Sequence, residues 1–99
     1  ARFILVLGGS GFGVGNYAPE VVRSIVEVEI PGIAEQIRAH GLANTPLSGL
    51  SREVVGVTAR DSSGALIISS PGSRGGALDT LEVVTPLLPA IFHQLDEEH

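Results

Sequence analysis

The clearest pattern of apolar positions is the run Phe3–Leu7, which is followed at once by a loop rich in glycine. A short run of bulky and β-branched residues is typical of a strand buried on both faces, as in the middle of a parallel sheet. The glycines at 8, 9, 11, 13 and 15 predict a tight turn with positive φ at several positions, which glycine adopts without steric cost. Ala18-Pro19-Glu20 then predicts a helix start, since proline is favoured at the first helical position.

The segment 21–30 carries two periodicities. Its first half places apolar residues near helical spacing, whereas VEVEI at 26–30 alternates apolar and polar residues as a strand does. The strand alternative would leave the first half unexplained. We therefore predict a helix that continues to the punctuation at Pro31-Gly32.

The rest of the chain predicts helices, a hairpin and a second glycine-rich loop. In order these are a helix over Gly32–Ala39, a loop over 42–50, strands over Val54–Ala59 and Ala65–Ser69, the loop Ser70–Gly76, and helices over Ala77–Val84 and Leu87–Leu95. His40-Gly41 is expected to end the first of these helices, because glycine commonly follows a last helical turn. The order predicts one α/β domain over residues 1–99, with three layers (α/β/α), a mostly parallel central sheet and one β-hairpin.

Composition narrows the function classes. The 99 residues carry six basic and eleven acidic side chains, for a net charge of −5, which argues against a nucleic-acid binder. There are no cysteines, which excludes disulfides and thiolate metal sites and fits a cytoplasmic protein. No apolar run reaches the length of a membrane span and no signal peptide is evident, so we expect no membrane partner.

Both glycine-rich loops follow strands and precede helices, the place where open α/β sheets bind ligands. The first loop has neither the dinucleotide fingerprint nor the P-loop Gly-Lys-Ser/Thr, so it is either an anion cradle or only a tight turn. In the second loop, Ser73 either contacts an anionic ligand or caps the following helix. Arg52 either pairs with a phosphate or is a surface residue or a partner of Glu53.

Other titratable residues predict no site. His40, His93 and His99 have no mutual metal-ligand spacing, and we predict no metal site among them. Asp79 and Glu82 stand three residues apart on a helix and could approach each other, but exposure to solvent is the favoured interpretation.

Five motifs in order resemble the molybdopterin-binding family of molybdenum cofactor biosynthesis, which includes bacterial molybdopterin adenylyltransferases and domains of gephyrin and cinnamon. The motifs are the run Gly8–Glu20, Ile30-Pro31-Gly32, Thr45-Pro46 with Leu50-Ser51-Arg52, Gly56, and Ser70–Gly76. The resemblance covers essentially the whole chain. It implies that the first third of the family domain is missing, including its first strand and an acidic segment used in catalysis.

The resemblance implies adenylyl transfer from Mg²⁺-ATP to molybdopterin by a cytoplasmic homotrimer or higher homo-oligomer. Magnesium and ATP are the expected cofactors, and molybdopterin is the expected substrate. Asn16 stands at the catalytic position of the family. The substrate-binding residues implied are Gly8, Gly9, Ser10, Gly11, Glu20, Ser51, Arg52, Pro71, Gly72 and Ser73.

The first loop departs from the family pattern. Asn16 replaces an Asp, and an amide is neither a charged Mg²⁺ ligand nor a base. Val14, Gly15, Ala18 and Arg74 also replace residues of the family motifs. We hypothesise that the pocket is kept while adenylyl transfer is weakened or lost. The alternatives are a non-catalytic, oligomeric pterin-binding or scaffold module, and an unrelated nucleotide-binding fragment.

Overall fold

The computed structural model describes residues 2–97, so His99 and the Glu98 end of the acidic tail lie outside the described residues. In chain order the elements are β1 (Phe3–Leu7), α1 (Ala18–Ile25), β2 (Val28–Glu29), α2 (Pro31–Leu42), a 3₁₀ turn (Pro46–Leu50), β3 (Val55–Val57), β4 (Leu66–Ser70), α3 (Arg74–Val84), a second 3₁₀ turn (Thr85–Leu87) and α4 (Leu88–Asp96).

The four strands form one sheet in the order β1-β4-β3-β2. Strand β1 pairs with β4 in parallel, whereas β3 pairs with both β4 and β2 in antiparallel fashion. The predicted α/β class and the hairpin of β3 and β4 are confirmed. The prediction that the sheet is mostly parallel is wrong, because only one of the three strand pairings within residues 2–97 is parallel.

Helices cover both faces of the sheet. Ile33 and Ile37 of α2, Val84 of α3 and Leu95 of α4 pack with the strand residues Leu66 and Ile68 on one face. On the other face, Val22 of α1 packs with Val54 and Ile67. Alternate residues of β4 thus point into two separate apolar clusters, as the two-residue period of a strand requires. The predicted three-layer arrangement follows from this alternation.

Strand β1 lies at an edge of the sheet, whereas the sequence predicted a strand in the middle of the sheet. Among the described residues it pairs with β4 alone. Its side chains are correspondingly more open, with Ile4 37% and Leu7 60% exposed, whereas every residue of β4 is buried. Five consecutive apolar residues therefore mark a strand correctly but do not determine how many neighbours it has.

The predicted helix over segment 21–30 ends early. Helix α1 stops at Ile25, and Val28–Glu29 form the edge strand β2. The backbone N–H groups of Glu27 and Ile30 donate to the carbonyls of Val57 and Val55, at 2.9 and 2.7 Å. Both periodicities of the sequence are real, and each describes one half of the segment.

Helix α2 continues through the predicted stop at His40-Gly41. Gly41 lies inside the helix and is buried. A Cβ built there would collide with the Ser48 hydroxyl and lie 3.2 Å from Oδ2 of Asp79. Gly41 is therefore required for the close packing of α2 on its neighbours and does not end the helix.

The stretch Arg74–Asp96 is long and apolar enough to cross a membrane by length and composition alone. Within it, a 3₁₀ turn at Thr85–Leu87 separates α3 from α4. Val84 and Leu95 of this stretch belong to the apolar core. Core helices of globular domains meet the same criteria, so this is weak evidence for a span.

Candidate functional site

The two glycine-rich loops meet at one edge of the sheet. Because β1 and β4 are parallel neighbours, their carboxyl ends lie side by side, and Gly8 N–H donates to the Ser70 carbonyl at 2.9 Å. A Cβ built at Gly72 would lie 3.1 Å from the Cα of Gly8. The loops thus touch through their backbones, at the edge of an α/β sheet where ligands bind.

The first loop is a compact turn. Gly8, Gly9 and Gly15 have φ values of +89°, +67° and +93°, which confirms the prediction of several positive angles. The loop closes on α1 through Ala18 N–H, which donates to the Gly9 carbonyl at 3.1 Å. Its peptide groups are therefore held in one defined shape.

The Arg52 side chain holds this loop in place through hydrogen bonds to its backbone. Its Nε donates to the Gly11 carbonyl at 2.8 Å, and its Nη2 donates to the Asn16 carbonyl at 2.7 Å. The same guanidinium binds both carboxylate oxygens of Glu20, at 2.9 and 3.0 Å. Arg52 and Glu20 are thus partners. One interpretation of the sequence paired Arg52 with Glu53, and that interpretation is wrong.

The partnership shifts the ionisation of Glu20. Hydrogen bonding to Arg52 and the positive charges of Arg52 and Arg23 hold the pKa of Glu20 below its usual value.

Asn16 lies inside the loop, where a Cβ at Gly13 would come within 3.0 Å of its Nδ2. The loop therefore curls around the side-chain amide that the resemblance predicted to be catalytic.

A cavity of about 520 Å³ opens between the two loops, the 3₁₀ turn at Pro46–Leu50 and α3; we call it the loop cavity. Five of the predicted substrate-binding residues line it: Ser10, Gly11, Ser51, Pro71 and Ser73. The remaining predicted site residues support the loops from outside its lining: Gly8, Gly9, Asn16, Glu20, Arg52 and Gly72. A groove of about 590 Å³ between α2 and α4 contains no predicted site residue.

The amino end of α3 borders the loop cavity. Ser73 is the N-cap of this helix, and its Oγ accepts from Gly76 N–H at 3.1 Å. The capping alternative for Ser73 is therefore confirmed. Gly75 and Gly76, in the first turn, line the cavity. A helix amino end presents N–H groups and the positive end of the helix dipole, which suit a phosphate.

Glu53 is a buried carboxyl in the cavity wall that the sequence did not reveal. It is 6% exposed, and its Oε2 lies 3.1 Å from the hydroxyl of Thr80. Desolvation raises the pKa of Glu53 to about 7; Asp79 adds to the rise, while Thr80 and Arg38 oppose it. The Ser51 Oγ slightly favours the ionised carboxylate, yet it is buried and makes no hydrogen bond of normal geometry among the described residues.

The Thr80 hydroxyl is shared between Glu53 and a second acceptor. It donates to Glu53 Oε2 and also lies 3.0 Å from the Gly76 carbonyl, and one hydroxyl hydrogen serves only one acceptor well. The hydrogen bond from Thr80 therefore offsets only part of the desolvation of Glu53. No sequence pattern marks this network beyond a lone carboxylate before an apolar run.

A cluster of His40, Asp79 and Glu82 lies at the rim of the loop cavity, and its possible ligand atoms are within 4.8 Å of one another. His40 Nε2 is 2.6 Å from Glu82 Oε2 and 3.7 Å from Asp79 Oδ1. The expectation that Asp79 is exposed is wrong, because it is 8% exposed. The spacing of Asp79 and Glu82 was visible in sequence, but the approach of His40 on α2 was not.

Both the sequence and the fold of this chain are similar to those of known proteins. Residues 1–90 match the family described as "Probable molybdopterin binding domain". The molybdenum cofactor synthesis protein cinnamon of Drosophila melanogaster is 29% identical over 97 residues, and the molybdopterin adenylyltransferase of Escherichia coli K12 is 35% identical over 83 residues. The solved structure of the molybdopterin biosynthesis Mog protein from Mycobacterium ulcerans superposes with a TM-score of 0.87 at 35% identity.

The chain is shorter than these relatives. The matches cover 98% of this chain but 16% of cinnamon, and 84% of this chain but 40% of the adenylyltransferase. The structural match covers 96% of this chain and 60% of the Mog protein. The likeness therefore extends over nearly all of this chain and less than two thirds of each relative.

Proposed function

This chain belongs to the molybdopterin-binding domain family, and from that membership we propose that it binds molybdopterin in the loop cavity, in molybdenum cofactor biosynthesis. One observation carries the proposal. The backbones of Gly8 and Gly72 are in contact, which joins the two glycine-rich loops into the wall of a single cavity. Its volume of about 520 Å³ suits a ligand the size of a pterin with a phosphate.

The lining of the cavity offers two kinds of chemistry. At the amino end of α3, Gly76 N–H is taken by Ser73 Oγ, and we propose that Gly75 N–H donates to the phosphate of the ligand. Leu47, Leu50 and Leu78 add apolar surface for a flat ring. This division of polar and apolar lining supports a ligand with an anionic tail and an aromatic head.

We propose further that the chain is a relative of the adenylyltransferases in which the transfer of AMP from Mg²⁺-ATP is weakened. Bound magnesium would neutralise charge on the phosphates during transfer. Asn16 in the first loop and Glu53 in the cavity wall are weak ligands for that ion. Asn16 offers only a neutral amide, and Glu53 is partly protonated near neutral pH because of its raised pKa.

The loop geometry also favours the second candidate, a non-catalytic pterin-binding or scaffold module. Arg52 already donates four hydrogen bonds, to Gly11, Asn16 and Glu20. Most of its bonding capacity therefore holds the loop in shape. A rigid cradle without a charged metal ligand can retain its pterin and still fail to turn over.

Partner and location remain part of the proposal. Tyr17, Val21 and Ile25, at successive four-residue intervals on and before α1, are 61%, 52% and 49% exposed. This apolar ridge supports the expected homotrimer or higher homo-oligomer, which light scattering on the purified protein would test. We also propose a cytoplasmic location.

Titration of the protein with molybdopterin, and separately with Mg²⁺-ATP, tests the proposed function. We expect saturable binding of molybdopterin, and an AMP-transfer rate far below that of an adenylyltransferase assayed alongside. AMP transfer at a rate comparable to that of the adenylyltransferase would contradict the proposal that the enzyme activity is weakened. Failure to bind either ligand would leave only the fold in common with the family.

A further inference from the structure

We propose that His40, Asp79 and Glu82 form a binding site for a divalent transition-metal ion of the Zn²⁺ class at the rim of the loop cavity. The donor set is one imidazole and two carboxylates, drawn from α2 and α3. Imidazole nitrogen suits zinc, cobalt and iron, whereas magnesium prefers oxygen ligands. This site is therefore chemically distinct from the magnesium expected with ATP, and it does not depend on the proposed transfer reaction.

The geometry of the three side chains is close to that of a ligand shell. Their possible ligand atoms lie within 4.8 Å of one another, and ligands of a tetrahedral zinc ion stand about 3.4 Å apart. His40 Nε2 faces both carboxylates, at 2.6 Å from Glu82 and 3.7 Å from Asp79. Binding of an ion would require the His40–Glu82 contact to open from 2.6 Å to about 3.4 Å, whereas Asp79 already lies 3.7 Å from His40.

The surroundings of Asp79 also favour a cation at this cluster. It is 8% exposed, and no arginine forms an ion pair with it or with Glu82 among the described residues. Its Oδ1 accepts from Asn44 Nδ2 at 3.0 Å, while its Oδ2 accepts no hydrogen bond from the described side chains. Buried carboxylates are normally paired with a cation or coordinate a metal.

The surrounding structure fixes these ligands in place. Asn44 orients the Asp79 carboxylate, which is the role that outer-shell partners have in metal sites. Gly41, next to His40, lets α2 approach to where a Cβ would lie 3.2 Å from Asp79 Oδ2.

Cobalt binding to the metal-stripped protein tests the site, because Co²⁺ replaces Zn²⁺ and absorbs visible light. We expect one equivalent of Co²⁺ to bind and to be displaced by Zn²⁺. His40→Ala and Glu82→Gln should each weaken binding at least about tenfold. His93→Ala, which removes an exposed histidine of α4, should leave binding unchanged. Far-UV circular dichroism confirms that each variant is folded, and Glu82 is exposed enough to be changed safely.

The absence of cysteine from the chain allows a sharper test. In His40→Cys, thiolate-to-cobalt charge transfer in the near ultraviolet can arise only from position 40. Appearance of that band with bound Co²⁺ supports the site. The proposal is overturned if no saturable binding occurs, if His40→Ala binds as the wild type does, or if His40→Cys binds Co²⁺ without the band. His40 then forms only an ion pair with its two carboxylates.

Discussion

Arg52 and Glu20 face each other through two hydrogen bonds, from Nη1 to Oε2 at 2.9 Å and from Nη2 to Oε1 at 3.0 Å. The guanidinium also holds the carbonyls of Gly11 and Asn16. The pair therefore joins α1, the first glycine-rich loop and the segment before β3. Its importance lies in the planar fork, which matches carboxylate and carbonyl acceptors simultaneously.

Replacing Arg52 should loosen the loop. Arg52→Lys keeps the charge but loses the fork, so we expect both Arg52→Lys and Arg52→Ala to destabilise the protein. The two lost bonds to backbone carbonyls are worth about 1–3 kcal/mol in the alanine variant. Urea unfolding measures the change. Arg60→Ala, at an exposed arginine, is the matched control, and an equal effect there would contradict the assignment.

Glu53 should make stability depend on pH. Its pKa is raised from 4.5 to about 7 in the folded protein, so the folded state binds the proton more tightly than the unfolded state. Stability is therefore highest below about pH 4.5 on this account and falls as pH rises to about 7, by at most ~3 kcal/mol.

Glu53→Gln should remove this dependence. Its melting temperature is expected to exceed that of the wild type at pH 8 and to differ little at pH 5. Glu35→Gln, at an exposed glutamate of α2, serves as the control. A wild-type stability that does not fall between pH 5 and 8 relative to Glu53→Gln would show that Glu53 has an ordinary pKa.

Gly72→Ala should separate the two loops. The new methyl group would lie 3.1 Å from the Cα of Gly8, and backbone atoms cannot move aside as a flexible side chain can. We expect a loss of about 1–3 kcal/mol in stability and weaker molybdopterin binding. Gly75→Ala adds the same group with no atom within 4 Å, so its stability should be kept or improved. Similar losses in both variants would refute the contact.

Asn16→Asp should raise AMP transfer if the rest of the first loop is competent. A carboxylate there supplies the charged oxygen ligand that the amide lacks. The assay is AMP transfer to molybdopterin at saturating Mg²⁺-ATP, with molybdopterin affinity measured in parallel. Unchanged transfer with unchanged affinity would mean that other substitutions in the loop also disable the reaction.

Local features of the fold could be predicted from the sequence. Strand Phe3–Leu7, the positive φ angles that follow it and the helix start at Ala18 depend on short-range sterics and periodicity, and the structure contains them. The family motifs also located the loops that line the cavity. Each of these features depends on residues that are neighbours in the chain.

Tertiary contacts decided the rest. Whether residues 26–30 form helix or strand was settled by hydrogen bonds to β3, about 28 residues away. The exposure of Asp79, the partner of Arg52 and the approach of His40 to Glu82 likewise depend on elements distant in sequence. The sequence by itself determined most of the elements and the family, because those follow from local chemistry. Only the folded chain determined which polar groups are buried or lie together: burial raises the pKa of Glu53, and the approach of α2 to α3 forms the candidate metal site.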